Sequence, residues 1–435
     1  MSGRTKDSLD GLEANSDGST AGFQIYDDAF RKLIGPSPTL RHLLTSSDGH
    51  PIFHEAGVYL RESNTVYVSS NRIPSKHARQ RATITSIPLD AVPSPRGSGV
   101  LASLELTDEG VQQSLARQVR TIHDLPEGLA MPNGGTNWTH EGQEAVLWCE
   151  QGRDDLDGEG ARPVSSSLVV TLPNAAAPGL KTAGVLVDNY DGKPFSSLND
   201  VVVHQQSGVV FFTDPDYGVG QSFKSGEQVY APNALYAWDP STSRVTMIDD
   251  NYDKPNGVTF IPDPSDPTSG RGLLATTDTG RFFMEPNEAM GEFKVDESRP
   301  ACIYTYPIEP LSRDPGSEGV ALPLAIGERS LLAHSESPIP DGLHPDRQGN
   351  LWVGSGDGLH VYDPVRRTLI GKVIVPGGRG VANFCWAGKV TVHDADGESH
   401  QEGQERVRDS REMYRLLLFC EQELWEACVM VDGSD

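Results

Sequence analysis

The chain has 435 residues, 37% hydrophobic and 22% charged, with 45 Gly and 31 Pro, an ordinary globular composition that excludes collagen-like, low-complexity and disordered chains. Sixty-one acidic against 36 basic side chains leave a formal charge of −25, which opposes the counterion release that nucleic-acid binding depends on and repels anionic lipid. Neither nucleic acid nor a membrane is therefore an expected partner.

The N-terminal MSGRTKDSLDGLEANSDGST is polar and aperiodic, and residues 1–20 read as a flexible tail ahead of one domain over 21–435. It lacks the apolar segment of a secretory signal, and no run approaches the roughly 18 apolar residues of a spanning helix, so the expected location is the cytoplasm. Next come short strands: 57–71 (GVYLRESNTVYVSSN), 145–152 (AVLWCEQG), 200–215 (DVVVHQQSGVVFFTDP), 234–250, 255–278 (PNGVTFIPDPSDPTSGRGLLATTD) and 342–375. They are rich in β-branched and aromatic residues and are separated by turn residues, while helical periodicity is almost absent. GSGDG at 354–358 lies between two strands and reads as a hairpin turn, not a dinucleotide loop.

Several strand-turn-strand units share one grammar: a polar head, a β-run, a Gly-containing turn and a second, aromatic-bearing β-run. Such recurrence marks radial repetition, so the expected fold class is all-β, a β-propeller of about six blades. The spacing is uneven, 57 residues from Asn199 to Asn256 and 85 from Asn256 to Asp341, so some blades must carry long loops. Residues 389–413 (KVTVHDADGESHQEGQERVRDSREM) read as a solvated insertion. The closing run RLLLFCEQELWEACVMV is expected to pair with an N-terminal strand such as FQIYD, 23–27.

The five cysteines, Cys149, Cys302, Cys385, Cys420 and Cys428, are scattered and form no CxxC, so they read as buried small hydrophobes rather than a disulfide framework or a zinc ribbon. Trp138, Trp352 and Trp386 are expected to pack between blades. A GxSxG elbow, a P-loop and an HExxH motif are all absent from the sequence, which argues against a serine esterase of the α/β-hydrolase type.

Four oxygen-bearing side chains stand at the heads of the units: Glu55 in HEAGVY, Asn199 in SLNDVVV, Asn256 in KPNGVTF and Asp341 in IPDGLHP. Taken singly, each Asx string is a turn former. As a set of four, each leading into a strand, they predict convergence at the tunnel mouth. Two carboxylates and two amide oxygens suit Ca²⁺ and can accept Mg²⁺ or Mn²⁺, whereas Zn²⁺, also a candidate, prefers His or Cys.

The strings GKPFSSLNDVVVHQQSGVVFFTDPDYG, KPNGVTFIPD and IPDGLHPDRQGNLWVGSGDGLHVYDP, with HEAGVYLRESNTVYVSS upstream, resemble the gluconolactonase/senescence-marker-protein (regucalcin-like) family, above all its fungal lactonohydrolases. The resemblance covers roughly residues 50–388. It implies a six-bladed propeller that hydrolyses a small lactone to the hydroxy acid, in fungal secondary or sugar-acid metabolism, with one catalytic divalent cation on Glu55, Asn199, Asn256 and Asp341. In that scheme Asp341 is the general base, with a nucleophilic role as the alternative, Asn199 also contacts substrate, and Asp200 orients Asn199 from behind. Ser197 stands where animal members carry a sugar-binding Arg, which leaves room for a less polar lactone. Tyr217, His204 and His344 lie near the motifs and are further candidate substrate contacts, and 131–142 resembles a channel-lining loop of the fungal members. A phosphotriesterase-like hydrolase using the same site and a non-catalytic binding propeller are the competing readings.

Overall fold

A computed structural model describes residues 7–8, 22–75, 80–95, 109–154, 162–174, 179–286, 290–311, 322–337, 339–393 and 410–434. Six antiparallel sheets follow one another around a central axis. Their innermost strands are β1 (Glu55–Leu60), β2 (Pro132–His140), β3 (Val201–Val203), β4 (Pro255–Pro262), β5 (Pro340–Pro345) and β6 (Asn383–His393). Each touches the next, and β6 returns to β1, so blades one and four face each other across the axis. This is the expected six-bladed propeller.

The blades hold together through alternation. In blade three the second strand, Val210–Asp214, is buried at every residue, while the outermost, Arg244–Asp249, is partly exposed throughout. Side chains on the two sheet faces mesh with the neighbouring blades, as where Leu147, Phe195, Phe212 and Tyr236 form one cluster between blades two and three. Trp352 and Trp386 meet edge to face at 5.5 Å between blades five and six, and Trp138 approaches Trp238 at 6.5 Å between blades two and three. All five cysteines are free and buried. Gly358 opens the strand that follows the 354–358 hairpin turn. Among the described residues no helix is long and apolar enough to cross a membrane.

The ring closes differently from expectation. An N-terminal strand does pair with the C-terminal run, but it is Thr39–Thr45 against Glu423–Val429. The FQIYD segment instead adds Gly22–Ile25 to the outer edge of blade five, against Thr368–Ile374, and Asp7–Ser8 pairs with it in turn. The remainder of 1–20 lies outside the described residues. Thr39–Thr45 carries Arg41, an unpromising core residue, and is made buriable by Glu426. That carboxylate is fully buried and takes hydrogen bonds from Arg41 Nε and, at 2.7 Å, from Arg415 Nε.

The insertion is also shorter than expected. Strands Asn383–His393 and Ser410–Cys420 run into 389–413, and Val390, Val392 and Met413 join Cys428 in a buried cluster. The polar neighbours Lys389, Thr391 and His393 point the other way and hide this alternation in the composition. Residues 394–409 lie outside the described residues.

Burial alone would raise the Glu426 carboxyl, but Arg41 and Arg415 outweigh it and hold the group below the ordinary glutamate value. A depressed folded pKa means that the contribution is complete above the unfolded value of about 4.3 and is lost as pH falls through the lower folded value. Glu426→Gln is expected to cost about 3–5 kcal/mol at pH 7 in urea unfolding, with the deficit shrinking in strong acid. Equal midpoints at pH 7 would refute the role.

Candidate metal centre

At the upper end of every inner strand sits an oxygen-bearing head: Glu55, Asn133, Asn199, Asn256, Asp341 and Asn383, all 9% exposed or less. Four of these strands lose register at the head, between Ala56 and Val58, Pro132 and Gly135, Pro255 and Val258, and Pro340 and Leu343. Such bulges re-aim a side chain out of the pleat, which is what Pro-Asn-Gly and Pro-Asp-Gly accomplish here. The glycine that follows a head admits the next blade. A Cβ on Gly134 would lie 2.5 Å from Asn199 O, on Gly257 2.5 Å from Asp341 O, and on Gly342 2.2 Å from Asn383 Cγ.

Two further sets of bonds fix the heads. Hydroxyls on the second strand of one blade donate to the head carbonyl of the next: Ser69 Oγ to Asn133 O (2.7 Å), Thr213 Oγ1 to Asn256 O (2.6 Å) and Thr277 Oγ1 to Asp341 O (3.1 Å). Buried carboxylates then gather the backbone just before three of the heads, Asn133, Asn199 and Asn256. Glu150 accepts from Ala130 and Met131, Asp214 from Ser196 and Ser197, and Asp278 from Asp253 and Lys254. Burial pushes Glu150 and Asp214 up to about 7 against these backbone donors. Lys224, donating to Phe195 O and Ser196 O, supplies the cation that Glu150 and Asp214 share.

The structure brings the expected carboxylates together. Asp341 is in hydrogen-bond contact with both the Glu55 carboxyl and the Asn256 side chain. Burial, then the charge of Asp341 and of Asp200, holds Glu55 well above the usual range, and burial pushes Asp341 up to about 6. Two carboxyls this close cannot both ionise without a cation between them. The amide oxygens complete the picture, since Oδ1 of Asn133, Asn199 and Asn256 is in each case buried without a hydrogen-bond partner. No three His, Cys, Asp or Glu side chains among the described residues are grouped to hold a metal. The amide oxygens must be counted with the carboxylates, and an all-oxygen set with orphaned carbonyls fits a hard divalent cation far better than Zn²⁺.

The neighbours sort themselves by what they touch. Asn383 Nδ2 donates to Glu55 Oε2 at 2.7 Å and its Oδ1 meets His344 Nε2 at 3.2 Å. Asp200 accepts from Val201 N and from Val258 N of the next blade, and burial pushes it up to about 6. It therefore ties β3 to β4 directly behind Asn199. Tyr217 OH and Thr279 Oγ1, 2.6 Å apart, both receive the Asn256 amide N–H groups at 3.3 Å, so Tyr217 orients a head. His344 faces down the tunnel, where the inner strands enclose a cavity of about 860 Å³. His204 is displaced further, to the far end of β3, where it is buried against Phe260 and bonded to Ser207 and Gly270 O.

Sequence reasoning missed Asn133 and Asn383. The first had a signal, since MPNGG repeats the KPNGV string, but a polar GTNWTH run follows it instead of an apolar strand. Asn383 has no following glycine and no turn string. Missed as well was the pair beside Asp341, in which His54 Nδ1 meets Glu421 Oε1 at 2.9 Å. Burial works to lower His54, but the Glu421 charge outweighs it and the net shift is upward.

No family model matches the chain. A gluconolactonase of Zymomonas mobilis is 26% identical over 267 residues, which cover 61% of this chain and 63% of that protein, a little under two thirds of its length. Lactonohydrolase oryL of Aspergillus oryzae is 29% identical over 363 residues, covering 82% of this chain and 68% of that protein. In fold, the chain is similar to a gluconolactonase of Xanthomonas campestris, with a TM-score of 0.52 and 18% identity over 94% of this chain and 95% of that one. These relatives are in line with the gluconolactonase and regucalcin-like family that the sequence strings resemble.

The hold on Asn256 is open to test. Tyr217→Phe removes one of the two oxygens that fix its amide and is expected to weaken Ca²⁺ binding by about ten-fold or more, read by calorimetry, with little change in the thermal midpoint. Unchanged affinity would show that Tyr217 does not orient the head.

Proposed function

We propose that the chain is a divalent-cation-dependent lactonohydrolase that opens a small lactone to its hydroxy acid. The observation that carries this reading is the cluster of oxygens at the axis, where Glu55 and Asp341 touch each other and the head amides present buried, unpartnered carbonyls. Relatives named gluconolactonase and lactonohydrolase support the same reaction class. Glu55, Asn199, Asn256 and Asp341 would hold the ion, with Asn133 beside them, and Ca²⁺ suits that donor set best. When bound, the ion supplies Lewis-acid polarisation of the ester carbonyl.

The protein residues do the rest. Asp341 is the general base that takes the proton of the attacking water. Asn383 holds Glu55 in place through one carboxylate oxygen, and Tyr217 and Thr279 hold Asn256. The preference for a less polar lactone rests on Ser197, whose hydroxyl is committed to the loop, donating to Pro215 O at 2.7 Å and accepting from Gly218 N at 2.8 Å. It offers no cationic grip on a polyol. Fungal secondary or sugar-acid metabolism is the setting that the resemblance of the sequence strings implies.

Asp341→Asn is expected to lower kcat on a responsive lactone by about 10²–10⁴-fold while still binding Ca²⁺ in calorimetry. Glu55→Gln should weaken that binding by about ten-fold or more. Wild-type rates in Asp341→Asn would remove the base from the scheme. A panel of lactones beside an aryl phosphotriester, each with and without EDTA, decides the reaction class. Turnover of the phosphotriester alone would replace the lactonase reading, and no metal-dependent turnover of either would leave a binding propeller.

A further inference from the structure

Blades one and four stand opposite each other, yet they are bonded together above the heads. A two-stranded hairpin, Phe282–Glu285 with Glu292–Val295, is inserted between the second and third strands of blade four. Its root is pinned at Phe283, over which the Arg299 guanidinium stacks at 3.9 Å while bonding Asp253. Its middle lies on the short blade-three helix Tyr217–Gly220. Contact there is so close that a Cβ on Gly220 would sit 2.8 Å from Met284 O, and one on Gly291 2.6 Å from Gly220 O. Its far side meets Arg72 of blade one, whose Nη1 donates to Met290 O and whose Nη2 approaches Met284 Sδ at 3.2 Å. Gln80, also of blade one, donates to Gln221 O of blade three.

The span runs from blade four over the blade-three helix to blade one, on the head side of the ring where the second strands end. We propose that Arg72 is a specificity-determining positioning residue: it holds this hairpin as a beam across the mouth, restricting the site to compact lactones without long substituents. The inference rests on the lactonase reading for its substrate class and on the blade order for its geometry. Arg72 suits the task because its guanidinium carries several fixed donors, so it can grip a backbone carbonyl and a thioether at once. It lies within electrostatic reach of Glu421 and His54, the pair beside Asp341, which places the beam's anchor at the edge of the site and not on a remote rim. No step of the chemistry passes through Arg72. Its effect is on which substrates reach Glu55 and Asp341.

The test compares an unsubstituted γ-lactone with one of the same ring bearing a long alkyl chain, using the full chain with Ca²⁺. Wild type should prefer the unsubstituted ring, and Arg72→Met should shrink the ratio of the two kcat/KM values by about ten-fold or more. Met284→Ala, which removes the thioether but leaves Arg72 in place, should shift the ratio in the same direction and guards against a misfolded Arg72 variant. An unchanged ratio in both folded variants overturns the proposal. Amide hydrogen exchange decides the beam without any catalysis. Phe282–Glu285 and Phe293–Val295 should exchange about ten-fold faster in Arg72→Met, while Val210–Asp214 stays protected. Inactivity of the wild type on both lactones with that exchange change present would reject the reaction and keep the beam, whereas unaltered exchange would reject the beam itself.

Discussion

The close approach of each blade head to the next is the constraint on which the mouth depends. Gly134, Gly257 and Gly342 stand where any Cβ would strike the following head or its backbone, and Ser69, Thr213 and Thr277 bond across the seams between blades one and two, three and four, and four and five. The heads are therefore a linked ring, not six independent turns. Moving one requires moving its neighbour, because packed interfaces have few intermediate arrangements. This rigidity lets side chains 286 residues apart, Glu55 and Asp341, keep contact. The inter-blade bonds hold the head oxygens in place, the preorganisation that a binding site requires.

The arrangement works against stability locally. A buried polar atom left unpaired costs about 1–3 kcal/mol, and here three amide carbonyls lie beside two carboxyls that repel each other. The compensation is in the layer just behind. Glu150, Asp214 and Asp278 collect the backbone N–H groups of the approach loops, and Lys224 neutralises two of them. These three acids occupy equivalent places at the ends of second strands, so one structural solution recurs from blade to blade. Their satisfied bonds contrast with the orphaned oxygens a few ångströms inward, which separates acids that build the scaffold from oxygens left open for a ligand.

How far the sequence revealed this depends on whether a residue's role was local. Glu55, Asn199, Asn256 and Asp341 were visible because each leads into a strand and two of them, Asn256 and Asp341, carry the Asx-Gly string that makes a bulge, a property of three adjacent residues. Ser69, Thr213 and Thr277 were invisible because their partners lie on the next blade, 43 to 64 residues away. The closing strand was misassigned for a related reason. FQIYD has the apolar alternation of a core strand, whereas TLRHLLT hides a buried arginine whose partner, Glu426, is 385 residues distant. His204 shows the opposite error, since nearness in sequence to a motif was taken for nearness to the mouth, whereas Tyr217 and His344 do reach the heads Asn256 and Asn383. A strand of only three residues, β3, is enough to carry His204 from the head of the blade to its far turn.

The depth of the heads bears on what kind of ligand they serve. A propeller that recognises a protein partner presents its contacts on an open face, where a large surface can reach them. Here the heads are nearly buried, the Ser197 hydroxyl that borders Asn199 is consumed by its own loop, and a hairpin from blade four reaches blade one above them. Only a small reactant can meet oxygens so placed. Beneath the heads lies the 860 Å³ cavity, where Tyr59, Phe260, Trp386 and Tyr414 mix with Arg61, Arg347 and Lys389 and with Asp200, Asp346 and Asp432. The two ends of one tunnel thus differ in chemistry, one a tight ring of oxygens and the other a roomy funnel of aromatic and mixed-charge side chains. Because the inner strands all run in the same sense from head to far turn, that polarity is a consequence of the blade itself: bulge and Asx residue at one end, hairpin and long side chains at the other.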